Sequence, residues 1–175
     1  GSEIILPCLN FGTAVSSVML SNLNPVLVDC EVKTLQIDVK KIEKKISKKT
    51  KALLIPNLIG NIPDWKKIRI LANKYKLKVI EDSADTLGAK LNDKSTGVYS
   101  DISITSFYGS HVISCAGNGG MMLTNNKDYF SRAKVLRSWG RMSSLIKDSE
   151  NIKKRLNIKK KGVDYDRKFV FSEAG

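Results

Sequence analysis

The residues with the clearest potential for chemistry lie in residues 104–122, with the sequence ITSFYGSHVISCAGNGGMM. This stretch contains Ser106 at the end of an apolar run, the only histidine of the chain (His111) and the glycine-rich residues 117–120. An imidazole can move protons near neutral pH because its unperturbed pKa is about 6.5. A hydroxyl, a histidine and a glycine-rich return at a strand end are typical of a binding site in an α/β protein. The structural alternative is a tight glycine turn with an incidental histidine.

A second group of polar residues follows the apolar segment KVIE, where the sequence IEDSAD contains Asp82 and Asp85. An aspartate at the end of a strand is often a helix N-cap or a loop acid. Asp82 could instead be a buried carboxylate that pairs with a cationic ring nitrogen. The pattern alone leaves both interpretations open.

The elements that would position these residues alternate between strands and helices. Strands are predicted at residues 3–7, 25–30, 51–59, 78–81, 101–106 and 121–124, and helices at 13–22, 38–48, 64–76 and 127–138. This order predicts an α/β fold of three layers, a mostly parallel sheet with helices on both faces. Because such sheets bind ligands beyond the carboxyl ends of their strands, we expect a site that includes Asn10, Phe11, Asn57, the segment from Asp82 to Asp85 and the segment from Ser106 to His111.

Composition excludes several classes of protein. The chain has 175 residues, of which 42% are hydrophobic and 27% charged, as in a soluble globular domain. No apolar run is long enough to span a bilayer, so we expect a cytoplasmic protein with no membrane partner. The three cysteines are scattered and do not have the spacing of a disulfide framework or a metal site.

The formal net charge is +13, and much of the excess lies in residues 40–51 and 153–161. In the first run the lysines recur at helical spacing around Ile42 and Ile46, which predicts the solvated face of an amphipathic helix. Binding of nucleic acid is the alternative, but no aromatic residues alternate with the lysines and no nucleic-acid motif is present. The charge therefore favours attraction of a phosphorylated small substrate, and we expect no nucleic-acid partner.

The chain as a whole resembles the large, cofactor-binding domain of the DegT-type sugar aminotransferases. These are fold-type-I pyridoxal-phosphate enzymes that act on nucleotide-linked keto-sugars. The matching segments are EIILPCLNF, NPVLVDCEVKTLQID, TKALLIPNLIGNIPD, KVIEDSADTLGAKLNDKSTGVYSD, SFYGSH, NGGMMLTNN and YDRKFVFSEAG. The resemblance implies that residues 1–175 are part of the large domain of a larger protein. The phosphate-loop region and the small C-terminal domain would lie outside this sequence, and the enzyme would be a homodimer.

The resemblance also implies a role for individual residues around pyridoxal or pyridoxamine 5'-phosphate. Asp82 would keep the pyridine nitrogen protonated, so that the ring acts as an electron sink. Phe11 would stack on the ring, and Ser106 would bind the phosphate. Asp85 would lie near the ring hydroxyl, and Asn57 would contact the cofactor or the substrate.

His111 is the main departure from the aminotransferases, which carry at this position the lysine that binds the cofactor covalently. No lysine follows before Lys127. Imidazole cannot form that lasting bond with an aldehyde, but it can act as a base. Histidine in this context resembles the keto-sugar 3-dehydratase branch of the family. There the histidine removes a proton and the C3 hydroxyl of a 4-keto-6-deoxy sugar is expelled. Residues 142–175 contain no cysteine that could hold the iron–sulfur centre of one dehydratase subgroup.

Three functions follow from this interpretation. The first is 3-dehydration of a nucleotide-linked 4-keto-6-deoxy sugar with His111 as base. The second is a nucleotide-sugar aminotransferase, with glutamate as a possible amino donor and another residue moving the proton. The third is a cofactor-binding relative without catalysis, which the longer loop at residues 111–120 and Asn118, in place of the usual glutamate, leave open.

Overall fold

The alternating apolar segments of the chain form a central sheet covered by helices. The computed structural model describes residues 1–156 and 158–172, which fall into two compact units, residues 1–123 and 124–175. Asn157 of the second lysine-rich run and the last three residues of the segment YDRKFVFSEAG lie outside the described residues. The assignment of residues 1–175 to one partial large domain stays a prediction.

Strands and helices alternate through the first unit. Its elements are β1 (Glu3–Pro7), α1 (Gly12–Leu20), β2 (Asn24–Val28), α2 (Val39–Lys45), β3 (Thr50–Pro56), α3 (Trp65–Lys74), β4 (Lys78–Asp82), β5 (Lys90–Leu91), β6 (Lys94–Ser95), β7 (Ile102–Ser106) and β8 (Gly120–Leu123). Short 3-10 turns lie at Leu58–Gly60 and Thr96–Tyr99.

Within the described residues, the main sheet has six strands in the order β2-β1-β3-β4-β7-β8. All neighbours are parallel except β7 and β8, which are antiparallel. The strands β5 and β6 form a separate hairpin. The prediction of a mostly parallel sheet is confirmed, and the carboxyl ends of β1, β3, β4 and β7 therefore meet at one edge.

Helices cover both faces of the sheet, as the alternation predicted. On one face, α2 and α3 pack on the strands through a core that includes Ile42, Trp65 and Ile68. On the other face, α1 packs through Ala14 and Val18. Full burial of a large apolar side chain contributes roughly 1.5–3 kcal/mol, so both apolar layers stabilise the sheet.

The helix starts are set by side-chain caps. Asp38 accepts a hydrogen bond from the amide of Lys40 at the start of α2, which confirms the predicted N-cap. Asp64 does the same for the amide of Lys67 in α3. The predicted third strand is shorter than expected because the chain turns after Pro56, and Ile59 has a positive φ of 49°.

The second unit contains α4 (Lys127–Arg137), α5 (Ile152–Arg155), β9 (Ile158–Lys160) and β10 (Val163–Tyr165). Its 3-10 turns lie at Met142–Leu145 and Arg167–Phe169. The Arg141 guanidinium lies 5.2–5.8 Å from the ring centres of Trp139, Phe169 and Phe171. Cation–π contacts of this kind tie the segment after α4 to the end of the unit. None of the helices within the described residues has the length and apolar character needed to cross a membrane.

Candidate active site

The predicted site residues come from the carboxyl ends of four parallel strands. Phe11 follows β1, Asn57 follows β3, Asp82 is the last residue of β4, and Ser106 is the last residue of β7. The pairing aligns Pro56 with Asp82, and Asp82 with Ile104. The sheet therefore brings these four residues to the same edge, as the strand-end rule predicted.

Asp82 has a partly buried carboxyl group. Its Oδ1 accepts a hydrogen bond from the amide of Ala84 at 3.0 Å. Burial raises the pKa of Asp82 above its usual range; the Ala84 amide acts in the opposite direction, Asp85 raises the pKa further, and His111 lowers it. Within residues 1–156 and 158–172, Asp82 forms no ion pair with a lysine or arginine. A carboxyl in this state is suited to a cationic ligand.

His111 lies beside Asp85, with 3.7 Å between His111 Nε2 and Asp85 Oδ1. The His111 amide donates to the carbonyl of Tyr108 at 2.9 Å, and the Tyr108 ring meets the imidazole edge-on at 5.7 Å. His111 Nδ1 is buried and has no hydrogen-bond partner among the described residues. The imidazole thus lies between a carboxylate and an aromatic ring.

The loop that carries His111 is closed by the pairing of β7 with β8. Ser106 is opposite Gly120, and the Phe107 amide donates to the carbonyl of Gly119 at 2.8 Å. A Cβ atom on Gly120 would lie 2.9 Å from the backbone oxygen of Thr105, so only glycine allows this close approach. The glycine-rich run therefore has a structural function, which is to return the chain to the sheet after the histidine.

Phe11 and Ser106 present groups that are free to meet a ligand. The Phe11 side chain is 73% exposed just before α1, and its amide is held by Asn10 Oδ1. Ser106 Oγ accepts from the Tyr108 amide at 3.2 Å. Among the described residues, its hydroxyl proton has no acceptor. Asn10 Nδ2 is buried and also has no partner in this part of the chain.

Asn57 is at the same edge, but its side chain is directed into the protein. It is 1% exposed; its Nδ2 donates to Glu81 Oε1 and Ser83 Oγ, and its Oδ1 accepts from Trp65 Nε1. The structure therefore does not bring its amide together with the groups of Asp82 and His111. A contact of Asn57 with a cofactor or substrate stays a prediction.

Two kinds of residue near the site were not predicted from the sequence. Tyr108 contacts His111, and its place three residues before the histidine was the only signal available. Glu81 and Ser83 form a buried polar cluster with Asn57. A charged residue within the apolar run KVIE was a visible sign that Glu81 needed partners inside the fold.

The geometry favours a flat aromatic ligand with a positive charge. Asp82 provides a partly buried carboxyl for a cationic nitrogen, Phe11 provides an exposed ring face, and Ser106 provides a hydroxyl donor. His111 provides, beside Asp85, a group that can accept and return a proton. The residues present thus fit a phosphorylated pyridine cofactor of the kind that the sequence resemblance implied.

Comparisons with known proteins agree with this description. The sequence matches the DegT/DnrJ/EryC1/StrS aminotransferase family over residues 1–163. It is 37% identical over 140 residues to GDP-perosamine synthase of Escherichia coli O157:H7. The aligned region covers 80% of this chain and 38% of the relative. It is 36% identical over 140 residues to dTDP-3-amino-3,6-dideoxy-alpha-D-galactopyranose transaminase of Aneurinibacillus thermoaerophilus, with 80% of this chain and 39% of the relative covered.

One similar solved structure is a dehydratase. The fold matches Escherichia coli GDP-4-keto-6-deoxy-D-mannose-3-dehydratase with bound hydrated PLP, with a TM-score of 0.78 and 26% identity. The match covers 84% of this chain and 38% of the dehydratase chain. The chain spans about two fifths of the length of the curated relatives that it matches.

Proposed function

The chain belongs to the DegT/DnrJ/EryC1/StrS aminotransferase family, and from that membership we propose that it is part of an enzyme that modifies a nucleotide-linked 4-keto-6-deoxy sugar. The cofactor is pyridoxal or pyridoxamine 5'-phosphate, and the reaction is 3-dehydration with His111 as the base. The relatives support the substrate class, since their names include GDP- and dTDP-linked sugars. The similar dehydratase structure, which contains PLP, supports the cofactor.

Four residues would hold the cofactor in this proposal. Asp82 pairs with the ring nitrogen, Phe11 stacks on one face of the ring, Ser106 binds the phosphate, and Asp85 lies at the ring hydroxyl as well as beside His111. When bound, the cofactor supplies an electron sink for the bond changes at the sugar. Burial is the first cause of the raised pKa of Asp82. A cationic ring nitrogen beside the carboxyl would lower this pKa again, because it stabilises the ionised form.

His111 would move the proton. Its Nε2 is 3.7 Å from Asp85 Oδ1, which is too long for a hydrogen bond but short enough for the carboxylate to stabilise the charge of a protonated imidazole. In this proposal the His111 imidazole takes up the proton that is released in the elimination and returns it to the C3 oxygen, which leaves as water. The Tyr108 ring packs edge-on against the imidazole.

A single observation supports dehydration over amino transfer. The third position after the strand-end segment SFY carries an imidazole next to a carboxylate, and the sequence has no lysine between His111 and Lys127. An amine at this position would be needed to bind the cofactor covalently, and histidine cannot replace it in that function. The same imidazole is suited to a single proton transfer.

Product analysis tests the proposal. The full-length protein, pyridoxamine phosphate and a nucleotide-linked 4-keto-6-deoxy hexose should give a sugar that lacks the C3 hydroxyl, seen by mass spectrometry and by a new methylene in the NMR spectrum. His111→Asn should not form it. Full activity in that variant would show that His111 is not the base.

Amino transfer is the second candidate, and the relative named as a transaminase favours it. In that case glutamate would be the amino donor and the product would be an amino sugar. We propose a homodimer for either enzyme, as the family resemblance implies. A protein that binds the cofactor but converts no keto-sugar, with or without glutamate, would instead be a non-catalytic relative.

A further inference from the structure

A buried polar cluster lies directly behind the strand end that carries Asp82. It consists of Asn57, Trp65, Glu81 and Ser83, which we call the Asn57 cluster. Glu81 is 0% exposed, and within the described residues its carboxyl has no cation as a partner. Burial of such a group costs stability, and apolar residues of similar volume would often be at least as stable. The cluster is therefore poorly explained by stability alone.

Asn57 is the centre of the cluster. Its Nδ2 donates to Glu81 Oε1 at 3.0 Å and to Ser83 Oγ at 2.8 Å, and Ser83 Oγ donates to Glu81 Oε1 at 2.7 Å. Trp65 Nε1 donates to Asn57 Oδ1 at 2.7 Å, which orients the amide. Every polar atom of the Asn57 side chain thus has a protein partner.

The backbone of Asn57 holds the same segment. Its amide donates to the carbonyl of Asp82 at 2.8 Å, and its carbonyl accepts from Thr86 Oγ1 at 3.1 Å. Ser83 is also tied to the next strand, because its amide donates to the carbonyl of Ile104 at 2.8 Å. One residue at the end of β3 therefore bonds to three consecutive residues at the end of β4.

The alternation of side chains along a strand connects this cluster to Asp82. Successive side chains point to opposite faces, so Glu81 and Ser83 lie on one side and Asp82 on the other. The face of Glu81 is that of Trp65 and α3, where the Asn57 amide binds both residues. Because Glu81 and Ser83 are hydrogen-bonded on either side of Asp82, the backbone at the strand end is restrained, and with it the direction in which the Asp82 side chain leaves the strand.

We infer that Asn57 is a positioning residue that acts through Glu81 and Ser83 to fix the carboxylate of Asp82 toward the ring nitrogen of the cofactor. The inference rests on the proposed function for the role of Asp82, and it gives Asn57 a task different from direct contact with a ligand. It predicts that loss of the Asn57 amide changes the environment of a carboxyl that the amide does not touch.

The amide of Ala84 gives a readout without cofactor, because it donates to Asp82 Oδ1 at 3.0 Å. In an NMR pH titration of the full-length protein, the Ala84 amide signal should follow ionisation of Asp82. In Asn57→Ala, the amplitude should shrink and the midpoint should fall toward ordinary aspartate values, since the carboxyl becomes better hydrated. Ser83→Ala is a milder variant that should shift the midpoint in the same direction. It allows the same measurement if Asn57→Ala does not fold.

Asn61→Ala is the matched control. Asn61 is exposed four residues further along the chain, and its Nδ2 donates only to the carbonyl of Thr34. In Asn61→Ala, the titration of the Ala84 amide signal and the affinity for pyridoxal phosphate should equal those of the wild type. For Asn57→Ala, we expect the affinity for pyridoxal phosphate to fall roughly tenfold, because the Asp82 carboxylate would be displaced by a fraction of an ångström.

The two claims fail separately. An unchanged Ala84 titration in folded Asn57→Ala and Ser83→Ala would overturn the positioning role, whatever the protein binds. A shifted titration in a protein that binds no pyridoxal phosphate would support the positioning of Asp82 and overturn the proposed cofactor. A shifted titration together with weaker binding in Asn57→Ala, but not in Asn61→Ala, is the result that we expect.

Discussion

His111 Nε2 and Asp85 Oδ1 lie 3.7 Å apart, although the two residues belong to loops that follow different strands, β7 and β4. The pairing of β4 with β7 brings these loops together at one edge of the sheet. A carboxylate at this distance attracts the positive charge that develops on the imidazole during proton transfer.

Replacement of His111 by Asn should remove the base and keep a smaller polar side chain. We expect the rate of loss of the C3 hydroxyl to fall by roughly 10²–10⁴-fold, the usual contribution of a general base. Affinity for pyridoxal phosphate should change by less than about threefold, because Asp82, Phe11 and Ser106 are unchanged. Steady-state kinetics and a fluorescence titration measure the two quantities. Ser110→Asn, on the exposed neighbour in the same loop, is the control.

Replacement of Asp85 by Asn should have a smaller effect. A partly exposed pair at 3.7 Å contributes about 1 kcal/mol, which corresponds to roughly a fivefold fall in kcat. The part of the loss that acts through the imidazole should appear in kcat, since the imidazole charge develops only during the reaction, whereas the lost contact with the ring hydroxyl should appear as weaker binding of pyridoxal phosphate. Asp93→Asn, in the exposed turn between β5 and β6, should behave like the wild type. An equal loss in both variants would mean that the charge beside His111 has no special role.

Asp82→Asn should stabilise the cofactor-free protein while it weakens cofactor binding. Burial is the first cause of the raised pKa of Asp82, so the folded chain holds this proton more tightly than the unfolded chain. The free energy of unfolding therefore falls as pH rises from ordinary aspartate values through the raised pKa. Asn carries no such charge. In urea unfolding at pH 7, the free energy of unfolding of Asp82→Asn should be higher than that of the wild type by up to about 1 kcal/mol. Lower stability of the variant at pH 7 would contradict this account.

Asp101 should have the opposite pH dependence. Burial alone would raise its pKa, but hydrogen bonds from Arg69 and the Val79 amide outweigh burial and leave the pKa below its usual range. The ionised Asp101 carboxylate therefore stabilises the folded protein. This contribution is complete above the pKa of Asp101 in the unfolded chain and is lost as pH falls through its lower pKa in the folded chain. Asp101→Asn should therefore cost about 1–3 kcal/mol at pH 7 and much less in acid. Urea unfolding at both pH values measures the difference, and an equal cost at both would count against the ion pair.

The sheet could be predicted from the sequence because its strands are short apolar runs separated by clear helix patterns. The apolar spacing of α3 and the cap at Asp38 were sufficient to place those helices. The strand-end rule then brought Phe11, Asp82 and Ser106 to one edge. The hairpins β5–β6 and β9–β10 were missed, since strands of two or three residues have too little periodicity to detect.

The contacts of the site could not be predicted in the same way. The pair of Asp85 with His111 depends on the course of two loops, which the strand pattern does not determine. The inward direction of Asn57 depends on Trp65, a residue that the sequence assigned only to the apolar face of a helix. The partners of Asp101 were missed for a similar reason, because Arg69 lies on another element 32 residues away.

The central claim is that His111 stands in place of the lysine that binds the cofactor covalently in the aminotransferases. Borohydride trapping tests this claim most directly, and it does not require the sugar substrate to be known. The full-length protein is mixed with pyridoxal phosphate, reduced and analysed by peptide mass spectrometry, with His111→Lys as the positive control. We predict reversible binding with no cofactor fixed to the wild type, and a fixed cofactor at position 111 in the variant. Stoichiometric attachment to a lysine of the wild type would contradict the account and favour amino transfer.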